Sequence, residues 1–242
     1  MASATTQLRA QAAEWGVRLE RANLERLSKY ARVLAAYELA NVIGTKDMDK
    51  IILEHLLDSL SCLTFAGVQA ARTLIDVGSG GGLPGIPLSI AAPHLQVTLL
   101  EATEKKVRFL EHVRTQLNLE NLQVLHARAE DIGVRSEYRE TFDLTTTRAL
   151  ASLPVVLEYC APLVRVEGTI LAMKGRLSTP ELLQAEAASS ELGVALQAVQ
   201  TVSYLKQLPQ KERRLVVLQK VRHTPEQFPR RVGLPKKRPL GA

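Results

Sequence analysis

Little in this chain points to a membrane, a metal or a secreted framework. Among its 242 residues no apolar run approaches the roughly 18 that a spanning helix needs. The N-terminal stretch MASATTQLRAQAAEWGVRLE lacks the apolar middle of a signal peptide. Cysteine is scarce: only Cys62 and Cys160 are present, without a CxxC, so neither a disulfide framework nor a zinc site is indicated. His55, His94, His112, His126 and His223 show no ligand spacing, and no metal is expected. Internal repeats and low-complexity linkers are missing too. At 46% hydrophobic residues the chain is too apolar for a disordered protein, and it is long enough for one domain with a small extension. These absences lead us to expect a cytoplasmic protein with reduced thiols and no membrane partner.

Acidic residues are missing from one end. The formal net charge is +6, and Glu226 is the last acid, while Arg230, Arg231, Lys236, Lys237 and Arg238 crowd the C-terminus. A basic tail over residues 223–242 would attract a polyanion with salt-dependent affinity. A solvated tail without a partner is the plain alternative.

Residues 1–70 read as a helical extension: Leu24, Leu27, Ala31 and Leu34 recur at the spacing of one buried helix face. In the next apolar segment His55 and Asp58 are three apart and share a helix face. A buried polar pair that fixes helix geometry is favoured there over a catalytic dyad. From Thr73 the rhythm changes to strand, loop and helix over residues 71–222. Strands are expected at 73–77, 95–100, 122–126, 142–146 and 168–173, with a late pair near 194–205 and 214–221. Helical patterns such as 105–117 and 153–163 lie between them. That alternation predicts an α/β fold, Rossmann-like, with a mostly parallel sheet covered on both faces and an antiparallel edge strand from the late pair.

The chemistry concentrates in residues 73–85, TLIDVGSGGGLPG. The apolar run reads as a buried parallel strand that breaks into Gly78, Ser79, Gly80, Gly81 and Gly82. Glycines there let the backbone turn sharply and approach a ligand. Pro84 and Gly85 then open a helix, expected to be amphipathic, beside the loop. The same glycines also satisfy the dinucleotide fingerprint. Asp76, however, sits where a pyrophosphate would lie, and an anion suits the ammonium and sulfonium of S-adenosylmethionine better.

Glu101, at the end of the second strand, can accept from both ribose hydroxyls of an adenosine cofactor. Its bland alternative is ordinary charge before a helix. After the third strand, Glu130 or Asp131 could accept from an adenine amino group while the Ala129 amide meets a ring nitrogen; either acid could equally cap the following turn. The fourth strand ends in Thr145-Thr146-Thr147-Arg148, beside the transferable methyl. Again an absence is informative. There is no Asn/Asp-Pro-Pro-aromatic segment to hold an exocyclic amine, and neither cysteine is placed to attack a pyrimidine. An acceptor with its own lone pair remains, and guanine N7 fits. Arg148 could donate two hydrogen bonds to guanine O6 or a phosphate, or lie against the cofactor.

Taken together, these motifs resemble the glucose-inhibited division protein B family of small-subunit rRNA methyltransferases. The resemblance runs from Asn41 and His55-Leu-Leu-Asp58-Ser59 through DVGSGGGLPGIPL, Glu101 and Lys105-Lys106-x-x-Phe109. It continues through Arg128-Ala129-Glu130, Thr147-Arg148-Ala149 and Met173-Lys174-Gly175 to PRRVGLPKKRPL. It implies a class I S-adenosylmethionine-dependent methyltransferase acting on N7 of one guanine in the decoding-region loop of bacterial 16S rRNA, presented as rRNA or as the 30S ribosomal subunit. Cofactor contacts carry over to Gly78, Leu83, Ala129, Glu130 and Arg148, with Glu101 beside them. Asp76, Ser79, Gly80 and Gly82 complete the expected cofactor set. Lys174 is expected near the RNA backbone. The tail cations, with Arg18, Arg21 and Lys29, are expected on rRNA phosphates. Gly81 stands where the family often has Ala or Pro, Thr147 where Ser is common and Val42-Ile43 where Leu-Thr is frequent. The first departure is expected to loosen the loop.

A nicotinamide oxidoreductase and a non-catalytic rRNA-binding assembly factor are the competing readings.

Overall fold

The structure, a computed structural model, describes residues 3–205, 208 and 212–241. Two helices open the chain, α1 (Ala4–Glu14) and α2 (Arg21–Ala36). Of the expected stripe on α2, Leu27, Ala31 and Leu34 are at most 2% exposed while Leu24 is half-buried, and Tyr30 is buried beside them. A continuous helical stretch follows. It runs from α3 (Met48–Lys50) through a π-helical turn (Ile51–Leu56) into α4 (Leu57–Leu60) and a 3-10 turn (Ser61–Thr64). The short α5 (Ala66–Ala70) leads into the sheet.

Seven strands form one sheet: β1 (Thr73–Val77), β2 (Gln96–Glu101), β3 (Leu122–His126), β4 (Phe142–Arg148), β5 (Val164–Lys174), β6 (Val194–Thr201) and β7 (Arg214–Lys220). Their order is β3-β2-β1-β4-β5-β7-β6. The first five strands are parallel. β7 runs antiparallel between β5 and the outermost β6, so the antiparallel strand lies one place in from the margin. β4 and β5 are longer than their apolar runs suggest, because Thr147-Arg148 continue the ladder past the expected end of β4 and Val164 already pairs with Phe142 ahead of the expected start of β5.

The helices between strands are α6 (Gly85–Ala91), α7 (Glu104–Leu117), α8 (Ala129–Ile132), α9 (Leu153–Cys160) and α10 (Thr179–Leu192), and α11 (Leu234–Lys237) follows the sheet. They cover both faces, as parallel strands buried on both sides require. One core joins α6 and α7 to the N-terminal helices, so the helical extension shares its core with the sheet. The other joins α9 and α10 to Phe228 and Leu240 of the C-terminal segment. α6 differs from expectation: Gly85 to Ile90 are buried on every side, because the N-terminal layer closes over its outer face. Among the described residues no helix is long and apolar enough to cross a membrane.

Candidate functional site

Parallel strands that end at one edge bring their carboxyl-terminal loops together. Here those loops and the segment 42–44 line one cleft of about 600 Å³. It gathers Gly78, Ser79, Gly80, Leu83, Glu101, Ala129, Glu130 and Arg148 from four separate stretches of chain. Asp76 and Gly82 are not in its wall.

Asp76, expected on the cofactor, lies beneath the cleft and not in its wall. It sits within the sheet, paired in register with Leu99 and Thr146, and is 0% exposed. Val77, the next residue, is the one facing the cleft. One Asp76 oxygen accepts from the Gly85 amide at 3.0 Å and the other from Thr146 Oγ1 at 3.3 Å. Asp76 is therefore a post beneath the loop that pins the start of α6. Burial pushes its carboxyl up to about 7, against the pull of those hydrogen bonds and of Arg148.

Glu101 carries the loop from the other side. Its Oε2 accepts from the Gly80 amide at 2.9 Å and its Oε1 from Thr103 N–H at 2.8 Å. A carboxylate has about four acceptor positions, so these two bonds leave room for a ligand hydroxyl. Gly80 itself has φ +58, and a Cβ there would project into space with only the Gly78 carbonyl within 4 Å. That is a cradle only glycine keeps open.

Gly81 is held rather than loosened. A Cβ on it would stand 2.5 Å from the Val42 carbonyl oxygen, and the buried Tyr30 hydroxyl donates to the Gly81 carbonyl. The segment after α2 thus grips the loop, and the two departures at Gly81 and Val42 touch each other.

Glu130 sits at the other end. Its Oε1 accepts from the Gly233 amide at 3.0 Å. Tyr159 lines the same wall, and burial and then the Glu130 carboxylate push its hydroxyl pKa up, so it stays a donor to Glu130. Asp131 is exposed and does not line the cleft.

Arg148 ends β4 and lines the cleft with His55. Its Nη1 donates to Asp58 Oδ2 at 3.0 Å and to the His55 carbonyl at 3.2 Å, and its Nη2 donates to His55 Nδ1 at 2.9 Å. Arginine has no acceptor, so His55 Nδ1 must be the unprotonated nitrogen. Asp58, 4% exposed in its side chain, also pairs with Arg213 Nε at 2.5 Å. His55 and Asp58 are expected as a buried polar pair fixing helix geometry; in the structure His55 is half-buried at the cleft, and both residues hold Arg148.

The cations expected on RNA divide. Lys174 is committed internally: its ammonium pairs with Glu181 at 2.7 Å and donates to the Ala151 carbonyl at 3.0 Å. Arg230 is committed as well, with two nitrogens on the fully buried carboxylate of Glu158 at 2.8 and 2.6 Å. Arg231, Lys236, Lys237 and Arg238 are exposed, and Lys236 lines the cleft. Arg18 and Arg21 are exposed and line no part of the cleft, Arg21 paired with Glu25. The tail docks because apolar residues punctuate its charges: Phe228, Pro235 and Leu240 are buried. Arg139, which no motif marks, donates to the carbonyls of Thr224, Pro225 and Phe228 and holds that docking.

Comparison with known proteins agrees with this geometry. Residues 23–214 match the family described as rRNA small subunit methyltransferase G. A protein of that name from Rubrobacter xylanophilus is 46% identical over 98% of this chain and 92% of its own. Another from Roseiflexus castenholzii is 41% identical over 95% of this chain and 97% of its own. Among solved structures, an S-adenosylmethionine-dependent methyltransferase from Aquifex aeolicus superposes with a TM-score of 0.56 at 17% identity, covering 76% of this chain and all of that one. The chain belongs to the rRNA small subunit methyltransferase G family, and its sheet is that of a class I S-adenosylmethionine-dependent methyltransferase.

Proposed function

We propose that this protein transfers the methyl group of S-adenosylmethionine to N7 of a guanine in the decoding-region loop of 16S rRNA, in the cytoplasm. The observation that carries the reading is the placement of Arg148 in the same cleft as the glycine loop and Glu101. The cofactor fits the residues present. Glu101 and Glu130 supply acceptors for hydroxyl and amino groups, Leu83, Leu100 and Leu150 supply apolar wall, and the Gly80 cradle admits close approach. A nicotinamide cofactor fits poorly, because Glu101 already occupies the Gly80 amide that a pyrophosphate would use.

When bound, S-adenosylmethionine supplies an electrophilic methyl on a sulfonium. The chain's own residues support an acceptor that needs no proton removed. The acids lining the cleft, Glu101 and Glu130, are held by backbone amides and given over to the cofactor's hydroxyl and amino groups, not to a proton of the acceptor base. His55 Nδ1 is engaged by Arg148, while Cys62 and Cys160 are fully buried outside the cleft. Guanine N7 has a free lone pair, so positioning and exclusion of water would provide the rate. Arg148 would orient the base through O6 or an adjoining phosphate, as a planar two-pronged donor.

The test is methyl-labelled S-adenosylmethionine with 30S subunits and with protein-free 16S rRNA from a strain lacking the enzyme. Label recovered as 7-methylguanosine is the expected result. Label in another nucleoside, or none while the cofactor binds, overturns the reading.

A further inference from the structure

The cleft continues on its N-terminal side. Val42 and Ile43 line the cleft and also line a second hollow, together with Tyr37 and Asn41. Tyr37 in turn lines a third hollow of about 380 Å³ between α2 and α7. α7 runs along the same route. Lys106 faces the cleft and His112 the third hollow, six residues later and so about 9 Å along the helix axis.

The third hollow is built from cations and rings. Lys29 and Arg32 stand three apart on α2, so they project to one side, and both are exposed. Lys29 gives one hydrogen bond to the Gln116 carbonyl at 2.5 Å, and an ammonium has three donors. Arg32 has no ion pair among the described residues. Tyr37 is braced edge-on by Phe109 with centroids 4.7 Å apart, and the exposed His112 ring lies 6.2 Å from it, tilted by 37°. Val33 and Ala36 complete the wall, and among the described residues no acid lines it. The one acid of the middle hollow, Glu38, is neutralised by Lys46 at 3.0 Å. Ring faces beside unneutralised cations suit a single nucleic-acid strand, whose bases stack while its phosphates meet the charges.

We propose that this trough is the track for the single-stranded rRNA flanking the target guanine, with a base against Tyr37 and His112 and phosphates at Lys29 and Arg32. It rests on the methyl-transfer reading for what lies at the end of the track, not for the binding itself.

The test compares the full chain with the Lys29→Ala/Arg32→Ala double variant and with His112→Ala, after equal thermal melting establishes that all three are folded. Filter binding of protein-free 16S rRNA across salt is read first. The double variant should lose about tenfold in affinity, with the slope of log K against log salt reduced by about 1.4, two single-strand phosphates' worth. His112→Ala should lose a few-fold at every salt with the slope unchanged, as a stacking contact does. With labelled cofactor, the double variant should raise KM for rRNA while kcat stays within about twofold and cofactor affinity is unchanged. Unchanged affinity and slope in the double variant would overturn the proposal. So would a defect confined to 30S subunits with rRNA binding intact, because the trough would then meet a ribosomal protein. If the wild-type protein binds rRNA but labels nothing, the methyl-transfer reading fails, and the salt slope still decides the track.

Discussion

The cleft is flanked by two segments from outside the strand-helix repeat, and they grip it by different means. On the N-terminal flank the grip is made of side chains buried together: Asp58 lies between Arg148 and Arg213 with its side chain 4% exposed. On the C-terminal flank it is mostly backbone, with the Gly233 amide on Glu130 and Arg139 holding three carbonyls, backed by the Arg230–Glu158 pair. A buried charge left without a partner is strongly destabilising, because its desolvation is then uncompensated. The reacting end is thereby tied to the folding of the N-terminal layer. The end expected to hold adenine depends on a docked strap.

The sharpest way to break this comparison is at Arg148. Arg148→Ala should lower kcat by about a hundredfold or more, the scale for removing a positioned donor. The fold should survive, because Asp58 keeps Arg213, and circular dichroism and melting against the parent check that. Retained full activity would remove Arg148 from the site. Asp58→Asn is the subtler version. It keeps the shape but leaves two arginines beside a neutral group, so stability should fall by about 3 kcal/mol in urea melts. A kcat loss of about tenfold at saturating cofactor should accompany it, with cofactor affinity unchanged; loss of cofactor affinity instead would mean that Asp58 serves the cofactor and not Arg148.

The opposite flank should respond in the other parameter. Arg230→Ala leaves the carboxylate of Glu158 buried without its guanidinium, and a loss of about 3 kcal/mol is expected. Since the strap carries Gly233 to Glu130, KM for the cofactor should rise a few-fold while kcat at saturation holds. Equal effects of Arg148 and Arg230 replacement on kcat would erase the distinction between the flanks.

The difference between the flanks also marks what the sequence made legible. Strand and helix periods are local, so the parallel sheet and the loop of glycines at its edge follow from residues 73–222 alone. Glu101 and Glu130 were readable because strand ends in such a sheet must converge. Pairings across the chain were not: Arg148 and Asp58 are 90 residues apart, and no local period encodes which arginine a buried aspartate meets. The π-helical turn at Ile51–Leu56 widens the helix just where His55 faces Arg148, and nothing in IILEHL announces it. The tail was legible in part, since Arg231, Lys236, Lys237 and Arg238 are exposed while Arg230 is paired internally. Its charge density reads as partner-facing, while Phe228, Pro235 and Leu240 carried the weaker signal that it packs on its own protein. For Asp76 the strand phase decides its place, since one residue's shift moves a side chain from the cleft to the interior.

Asp76 gives the smallest expected effect and the one that tests the geometry most directly. Burial raises its carboxyl from 3.8 to about 7, so between those values the folded protein holds a proton that the unfolded chain has released. Stability contributed by this group therefore falls as pH rises through that window. Asn at this position resembles the protonated acid: its carbonyl can accept from Gly85 N–H, and its amide can donate to Thr146 Oγ1. Asp76→Asn should flatten the dependence of melting temperature on pH between about 4 and 7 and leave the protein at least as stable as the parent at neutral pH. Because Asp76 stands under the cleft and not in its wall, cofactor affinity measured calorimetrically at pH 8 should change by less than about twofold. A loss of about a hundredfold would place this carboxylate on the cofactor after all and would move the boundary between the site and its support by one residue along β1.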